Sequence, residues 1–156
     1  MSRSDARDSF RRPSGVERVA NRLFGVFVGL GGGLAHNHLV QVRGRKTGRI
    51  YSTPVNLLET EQGRYLVAPR GDAQWVRNLR NSCELSLKKG PKTRRYRVRE
   101  LADSEKPILL KEYLTRYRKT VQRYFSIPAD SNLDAFAEVA NSYPVFELEQ
   151  TDDTAA

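Results

Sequence analysis

Hydrophobic positions along the chain change period near residue 39, and that change divides the sequence. Before it, Val16, Val19, Ala20, Leu23 and Phe27 recur at helical intervals behind Ser14-Gly-Val-Glu17, which has capping-box spacing. The predicted helix runs into an apolar, glycine-rich stretch, Leu23 to Leu34, which at 12 residues is too short to span a bilayer. It either packs on the domain or lies on a membrane surface, with Arg11, Arg12, Arg18 and Arg22 beside it. From Leu39 the period becomes two. Leu39-Val-Gln-Val-Arg43, Ile50 to Glu59, Arg64 to Ala68, Glu84 to Lys88, Thr93 to Leu101 and Val145 to Glu149 read as strands. Glu61-Gln-Gly-Arg64 and Lys89-Gly-Pro-Lys92 supply turn chemistry between neighbours, which favours antiparallel hairpins.

Three helical segments interrupt or follow the strands. Asp72 is placed to cap a short helix with Trp75, Val76 and Leu79 on one face. Asp103-Ser-Glu-Lys-Pro107 starts a long helix whose Leu110, Leu114, Tyr117, Val121 and Tyr124 form one stripe. Ser131 signals another, with Leu133, Phe136, Ala137 and Ala140 as its apolar face. Short strands at hairpin spacing with helices added at the ends predict an α+β fold, mainly β, built as a closed or split antiparallel barrel. A doubly wound sheet lacks the alternation it needs. The organisation expected is an arm over 1–13, one domain over 14–149 and a polar tail over 150–156.

Composition narrows the chemistry. The 156 residues suit one domain, and a single cysteine, Cys83, rules out an internal disulfide framework or a multi-cysteine zinc site. His36 and His38 have no visible ligand partners, so no metal site is expected. Without a secretory leader pattern at the N-terminus, a cytoplasmic location is the expectation. The net charge of +9 is unevenly spread: between Leu39 and Arg99 there are 15 Lys and Arg against four acids, so the whole excess lies there. Arginine provides 20 of the 27 bases, and its fork suits oxyanions.

Two segments concentrate that charge with glycine. In Val42-Arg-Gly-Arg-Lys-Thr-Gly-Arg-Ile50 two glycines bracket Arg45, Lys46 and Thr47 at a strand-to-strand turn, where backbone N–H groups, a hydroxyl and several cations can converge on one anion. Its order is not that of a P-loop. In Tyr65-Leu-Val-Ala-Pro-Arg-Gly-Asp-Ala-Gln-Trp75 a strand delivers Pro69 and Arg70 to a glycine loop and then to a helix start, a second anion-favouring element. Trp75 is either core or the wall of a planar ligand, and Asn78 lies nearly on its face. Tyr113, Tyr117 and Tyr124 either pack or offer phenols at a pocket mouth. No acid, base or nucleophile constellation is visible, so an enzyme of this sequence would rely on a cofactor for its chemistry.

The ordered set Gly44-Arg-Lys-Thr-Gly48, Thr53-Pro-Val55, Tyr65-Leu-Val-Ala-Pro-Arg-Gly71 and Trp75-x-x-Asn78-Leu79 resembles the deazaflavin (coenzyme F-420)-dependent nitroreductase and quinone reductase family. That resemblance implies a split β-barrel like that of the pyridoxamine phosphate oxidases, with an N-terminal helix and C-terminal helices. It implies reduced coenzyme F-420 as hydride donor to a quinone-like, nitro or other conjugated acceptor. By position, Arg45, Lys46, Thr47 and Arg49 would meet the phosphate and acidic tail. Pro54, Ala68, Arg70, Trp75 and Asn78 would line the coenzyme, and Tyr113, Tyr117 and Tyr124 would face the substrate. Pro69 stands where the nitro-reducing member has a serine, which counts against bulky nitroaromatic acceptors. Competing readings are a barrel binding flavin (FMN) or a lipid-like ligand, and a basic module binding nucleic acid through Arg95, Arg97 and Arg99 alternating with Tyr96 and Val98. A homodimer and peripheral membrane contact through the N-terminal helix complete the expected partners.

Overall fold

The computed structural model describes residues 37–151. The arm, the N-terminal helix, the glycine-rich stretch and His36 lie outside the described residues. Six antiparallel strands form a closed barrel: β1 (Asn37–Arg43), β2 (Ile50–Thr60), β3 (Gly63–Val67), β4 (Glu84–Lys89), β5 (Lys92–Glu100) and β6 (Val145–Gln150). They neighbour one another in the order β1-β2-β3-β6-β5-β4, and β4 pairs back onto β1. Every strand expected from the alternation is present, with boundaries moved by a residue or two. β6 runs one residue into the segment assigned to the polar tail.

The alternation sorts side chains to two faces. Val40, Val42, Leu57, Leu66, Leu85, Leu87, Tyr96, Phe146 and Leu148 fill the barrel interior. Leu58, Tyr65, Val67 and Val145 are buried on the opposite side, beneath the C-terminal helices. Two hairpins show why the chain turns where it does. Gly90 takes φ 59°, which supplies the positive-φ first position of the two-residue loop between Lys89 and Lys92. Pro54 sits where β2 pairs with β1 and before its pairing with β3 begins, a place where a strand tolerates a missing N–H.

Helix α1 (Gln74–Ser82) inserts Val76 and Leu79, both fully buried, into the interior cluster. Asp72 is not its cap. The N-cap is Ala73, without a side-chain bond, and the Asp72 carboxylate instead pairs with Arg80 and lies 3.6 Å from Arg77. Two arginines on the first two turns of the helix offer that carboxylate more than one backbone N–H would. The long helix is also not continuous: α2 (Pro107–Arg116) ends at Tyr117, whose φ of −112° breaks the ladder before the single turn α3 (Arg118–Val121). The buried hydroxyl of Tyr117 donates to the carbonyl of Leu57 at 2.5 Å, tying the break to β2. Helix α4 (Leu133–Val139) is capped by Asn132, not Ser131: the Asn132 side chain accepts from the N–H of Ala135 at 2.9 Å. Its buried contacts are Phe136 and the following Ala140, while Leu133 and Ala137 are exposed.

The outer layer closes on aromatic contacts. Phe125 stacks on Tyr143 at 4.2 Å, and the Tyr143 hydroxyl donates to the carbonyl of Tyr124 at 3.0 Å. Among the described residues no helix is long and apolar enough to cross a membrane.

Candidate functional site

The turn after β1 is held in a defined shape by its own groups. Gly44 N–H donates to the Arg49 carbonyl and Gly48 N–H to that of Gly44, at 2.6 and 3.0 Å. Thr47 Oγ1 lies 3.1 Å from the Tyr51 hydroxyl and accepts from the Arg49 N–H at 3.2 Å. Arg43 closes the turn from below by donating to the Gly48 carbonyl at 2.9 Å. Gly44 is required by space: a Cβ there would sit 2.5 Å from the Tyr51 ring and 2.9 Å from Thr47 Oγ1. Lys46, Thr47 and Arg49 are exposed on this turn.

The second segment is brought against it. β3 delivers Ala68, fully buried and bonded through its N–H to the Pro144 carbonyl at 2.9 Å, into a loop where Gly71 takes φ 79°. Helix α1 starts from that loop, with no acid in its first turn. From its first residue, Gln74 Oε1 accepts from Arg45 Nη1 at 2.9 Å; one turn later, Asn78 Oδ1 accepts from the same nitrogen at 2.8 Å and from the Arg45 backbone N–H at 3.1 Å. The two anion-favouring elements of the sequence thus adjoin. Arg45, Lys46, Thr47, Arg49, Arg70, Trp75 and Asn78 all belong to this pair of elements, whereas Pro54 lies farther along β2, in its half-buried stretch opposite Leu39.

Trp75 is half-buried, tilted 54° to Phe146 with ring centroids 6.1 Å apart, so one part of it packs on the barrel and another is left to solvent. Arg70 reaches the outer layer, its guanidinium carbon 5.4 Å from the Tyr124 ring centroid, while that of Arg123 is 4.8 Å away. Tyr124 is therefore the tyrosine that adjoins the candidate site. Tyr113 and Tyr117 are core residues: they are 2% and 5% exposed, with rings 5.2 Å apart. Burial pushes the Tyr113 phenol well above its ordinary value, although a hydrogen bond with Asn56 opposes the shift. Burial raises Tyr117 as well. Tyr117 continues the apolar stripe from the C-cap of α2, and Tyr113, one turn before it, packs its ring against that of Tyr117.

Three residues at the site were not anticipated. Gln74 lies four positions before Asn78, so the helical period already put both on one face. Tyr51 and Phe146 carried no signal beyond strand alternation, because their contacts with Gly44 and Trp75 depend on tertiary placement.

The basic strand β5 resolves differently. Arg97 stands opposite Glu84 on one side and Glu149 on the other, and Arg99 opposite Glu147. Arg99 also bonds Glu105 at 3.1 Å, and Arg95 is 3.7 Å from Glu84. Tyr96 is buried in the barrel, with its hydroxyl accepting from Arg64 Nη1 at 2.9 Å, and offers no stacking platform. Cross-strand acids offset much of the charge that suggested a nucleic-acid face.

Comparison with known proteins places the barrel among relatives. A model of the family described as F420H(2)-dependent quinone reductase matches residues 17–127, well over half of the chain. No match is found among curated protein sequences. Among solved structures, the chain is similar to Atu2129 of Agrobacterium tumefaciens, of unknown function, at 17% identity and TM-score 0.53; the match covers 90% of this chain and 57% of that one. An F420-H2 dependent reductase (FDR-A) is 21% identical with TM-score 0.51, over 74% of this chain and 95% of that one. A putative pyridoxamine 5'-phosphate oxidase from Listeria innocua is 6% identical with TM-score 0.51, over 75% of this chain and 85% of that one. These structures share the fold.

Proposed function

Because the chain belongs to the F-420-dependent quinone reductase family, we propose that it binds reduced coenzyme F-420 between the Gly44–Arg49 turn and the start of α1 and reduces a quinone-like acceptor. The observation that carries this reading is the docking of Arg45 on Gln74 and Asn78, which joins a cationic turn to a helix start. The donor set fits an anionic coenzyme. Residues 43–49 contain four cations and no acid, and no acid stands in the first turn of α1. An oxyanion there gains charge-assisted bonds and the partial positive charge of the helix start.

Lys46, Thr47 and Arg49 would hold the phosphate and acidic tail, since their polar ends are exposed on the turn. Ala68, being fully buried, would support the slot from behind, and the exposed part of Trp75 would wall the ring. Bound there, the deazaflavin would supply the hydride that reduces the acceptor, so the protein needs no base of its own for that transfer. What this chain contributes is orientation and exclusion of water: Phe146 backs Trp75, and the barrel interior behind it is apolar. Tyr124, flanked by Arg70 and Arg123, is the phenol left to meet an acceptor. Pro69, lacking both hydroxyl and N–H, favours quinone-like over nitroaromatic acceptors.

Trp75 is the only tryptophan, so its fluorescence reports on the groove alone. Titration with the deazaflavin should quench it, and Lys46→Ala or Arg49→Ala should each weaken binding about five- to thirtyfold, the worth of one exposed charge-assisted contact. No quench, together with a steep salt-dependent shift on an oligonucleotide, would replace this reading with the nucleic-acid one.

A further inference from the structure

Asn78 is only 5% exposed, and a buried carboxamide must have its oxygen and nitrogen directed by what surrounds it. Two donors from one residue, the N–H and the Nη1 of Arg45, converge on a single atom of Asn78 at 3.1 and 2.8 Å. Donors cannot face an NH2 group, so that atom is the oxygen, and both of its lone pairs are engaged. The partners are 33 residues apart in sequence. The bonds therefore fasten the β1–β2 turn to α1 and do not merely shape a local turn.

We propose that Asn78 is a positioning residue for this groove: its side-chain oxygen holds the Gly44–Arg49 turn in the form that presents its cations to an anion. It acts through Arg45, whereas family resemblance alone would set it against the coenzyme. Arginine carries five N–H donors, of which Nη1 gives both of its own to Gln74 and Asn78; three remain for a ligand. Gln74, which is exposed, is the weaker tether, because water competes for its bond. The proposal takes its ligand from the deazaflavin reading, but its geometry stands apart from it.

The test compares the full-length protein with Asn78→Ala and Asn78→Asp. Aspartate keeps acceptor oxygens in the same place and discards the NH2 group, so it separates the two roles an asparagine can play. The first readout needs no ligand: trypsin cleavage after Arg45, Lys46 and Arg49, resolved by mass spectrometry, measures how often the turn opens. The second is deazaflavin binding followed by Trp75 fluorescence, and a thermal melt confirms folding. Asn78→Ala should raise cleavage in the turn about tenfold and weaken binding about ten- to thirtyfold, the range expected for a lost buried bond to a charged partner. Asn78→Asp should stay within about threefold of wild type in cleavage and bind better than Asn78→Ala. Should Asn78→Ala not fold, Asn78→Ser, whose hydroxyl is too short to span to Arg45, takes its place. Equal cleavage of the Asp and Ala variants would overturn the proposal, as would weakened binding in Asn78→Ala with the turn still protected. If the wild type binds no deazaflavin the functional reading fails, and the cleavage comparison still decides whether Asn78 holds the turn.

Discussion

Gly44 is a demanding position at the site, because its constraint is one of room. Its φ is not among the positive values found at Gly48, Gly63, Gly71 and Gly90, so alanine is allowed there by backbone angle. The added methyl would nevertheless lie 2.5 Å from Tyr51 Cε2, 3.1 Å from Cδ2 and 2.9 Å from Thr47 Oγ1. About an ångström must be found to reach ordinary van der Waals contact. Tyr51 is 46% exposed, so its ring has somewhere to go, and the core need not deform. Moving it gives up the 3.1 Å contact with Thr47, and moving Thr47 loosens its 3.2 Å bond from the Arg49 N–H. Two exposed hydrogen bonds and a displaced ring come to about 1–3 kcal/mol. For a domain of this size each kcal/mol lowers Tm by about 2–4 °C. Gly44→Ala should therefore melt a few degrees early by circular dichroism while losing deazaflavin affinity more steeply, since the displaced groups are those of the binding turn. Tyr51→Ala removes the closest contact in advance. In that background Gly44→Ala should cost at least about 1 kcal/mol less, a coupling measurable by a double-mutant cycle. Equal cost in both backgrounds, or an unchanged melt and affinity in Gly44→Ala, would refute the steric account.

Further expectations follow from the rest of the molecule. Tyr117→Phe removes the donor to the Leu57 carbonyl and should cost about 1–2 kcal/mol in chemical denaturation, with Leu57 left buried beneath it. Cys83 ends α1 with φ 58°, a left-handed conformation that suits glycine, so Cys83→Gly should raise stability by about 0.5–1 kcal/mol and Tm by a few degrees. Lys106 is 4% exposed and donates to Asp103 and to the Ala140 carbonyl at 2.8 and 3.1 Å; Lys106→Met removes both bonds while that carbonyl keeps the Tyr143 N–H at 3.2 Å, so the loss in chemical denaturation should be about 0.5–1.5 kcal/mol. Burial raises the Tyr113 phenol above its ordinary value of 10.0, so the native state resists ionising it while the unfolded chain does not. Stability should be unaffected by this group below pH 10 and fall above it, and Tyr113→Phe should flatten that alkaline decline in urea titrations.

The strands were legible because alternation reports directly on which face is buried. β1 shows this: Val40 and Val42 enter the barrel interior, and the pattern needed no tertiary knowledge. The helices were less so. Asp72 has good capping chemistry for α1, but Arg77 and Arg80 on the first two turns compete for the same carboxylate, and the ion pairs prevail. The stripe Leu110, Leu114, Tyr117, Val121 continues across a break that no proline or glycine marks, since the hydroxyl of Tyr117 reaches β2 only once the layers have packed. Asn132 displaces Ser131 as a cap by one residue, a boundary that propensity does not resolve. At the site, residue types and spacing pointed to the two elements that meet. They did not disclose that Arg45 would be held by Asn78, because that bond joins segments 33 residues apart.

The distribution of charge completes the argument for an anion at the turn. The excess in residues 39–99 includes both the glycine-flanked turn and the basic strand, and the fold divides these into two populations. On β5, Arg95, Arg97 and Arg99 meet acids supplied by β4, β6 and the segment after β5, through Glu84, Glu149, Glu147 and Glu105, whereas Arg94 stands opposite Leu87. These pairs are exposed, so each adds little stability, about 0–1 kcal/mol, but together they offset much of the charge of that surface. On the β1–β2 turn no carboxylate among the described residues pairs with Lys46 or Arg49. Arg45, whose partners are neutral amides, keeps its full charge. A free polyanion is therefore attracted to the turn over the strand, even though the strand carries more arginines. Raising salt should weaken deazaflavin binding in wild type and have less effect in Lys46→Ala/Arg49→Ala. An unchanged salt slope in that double variant would place the anion elsewhere.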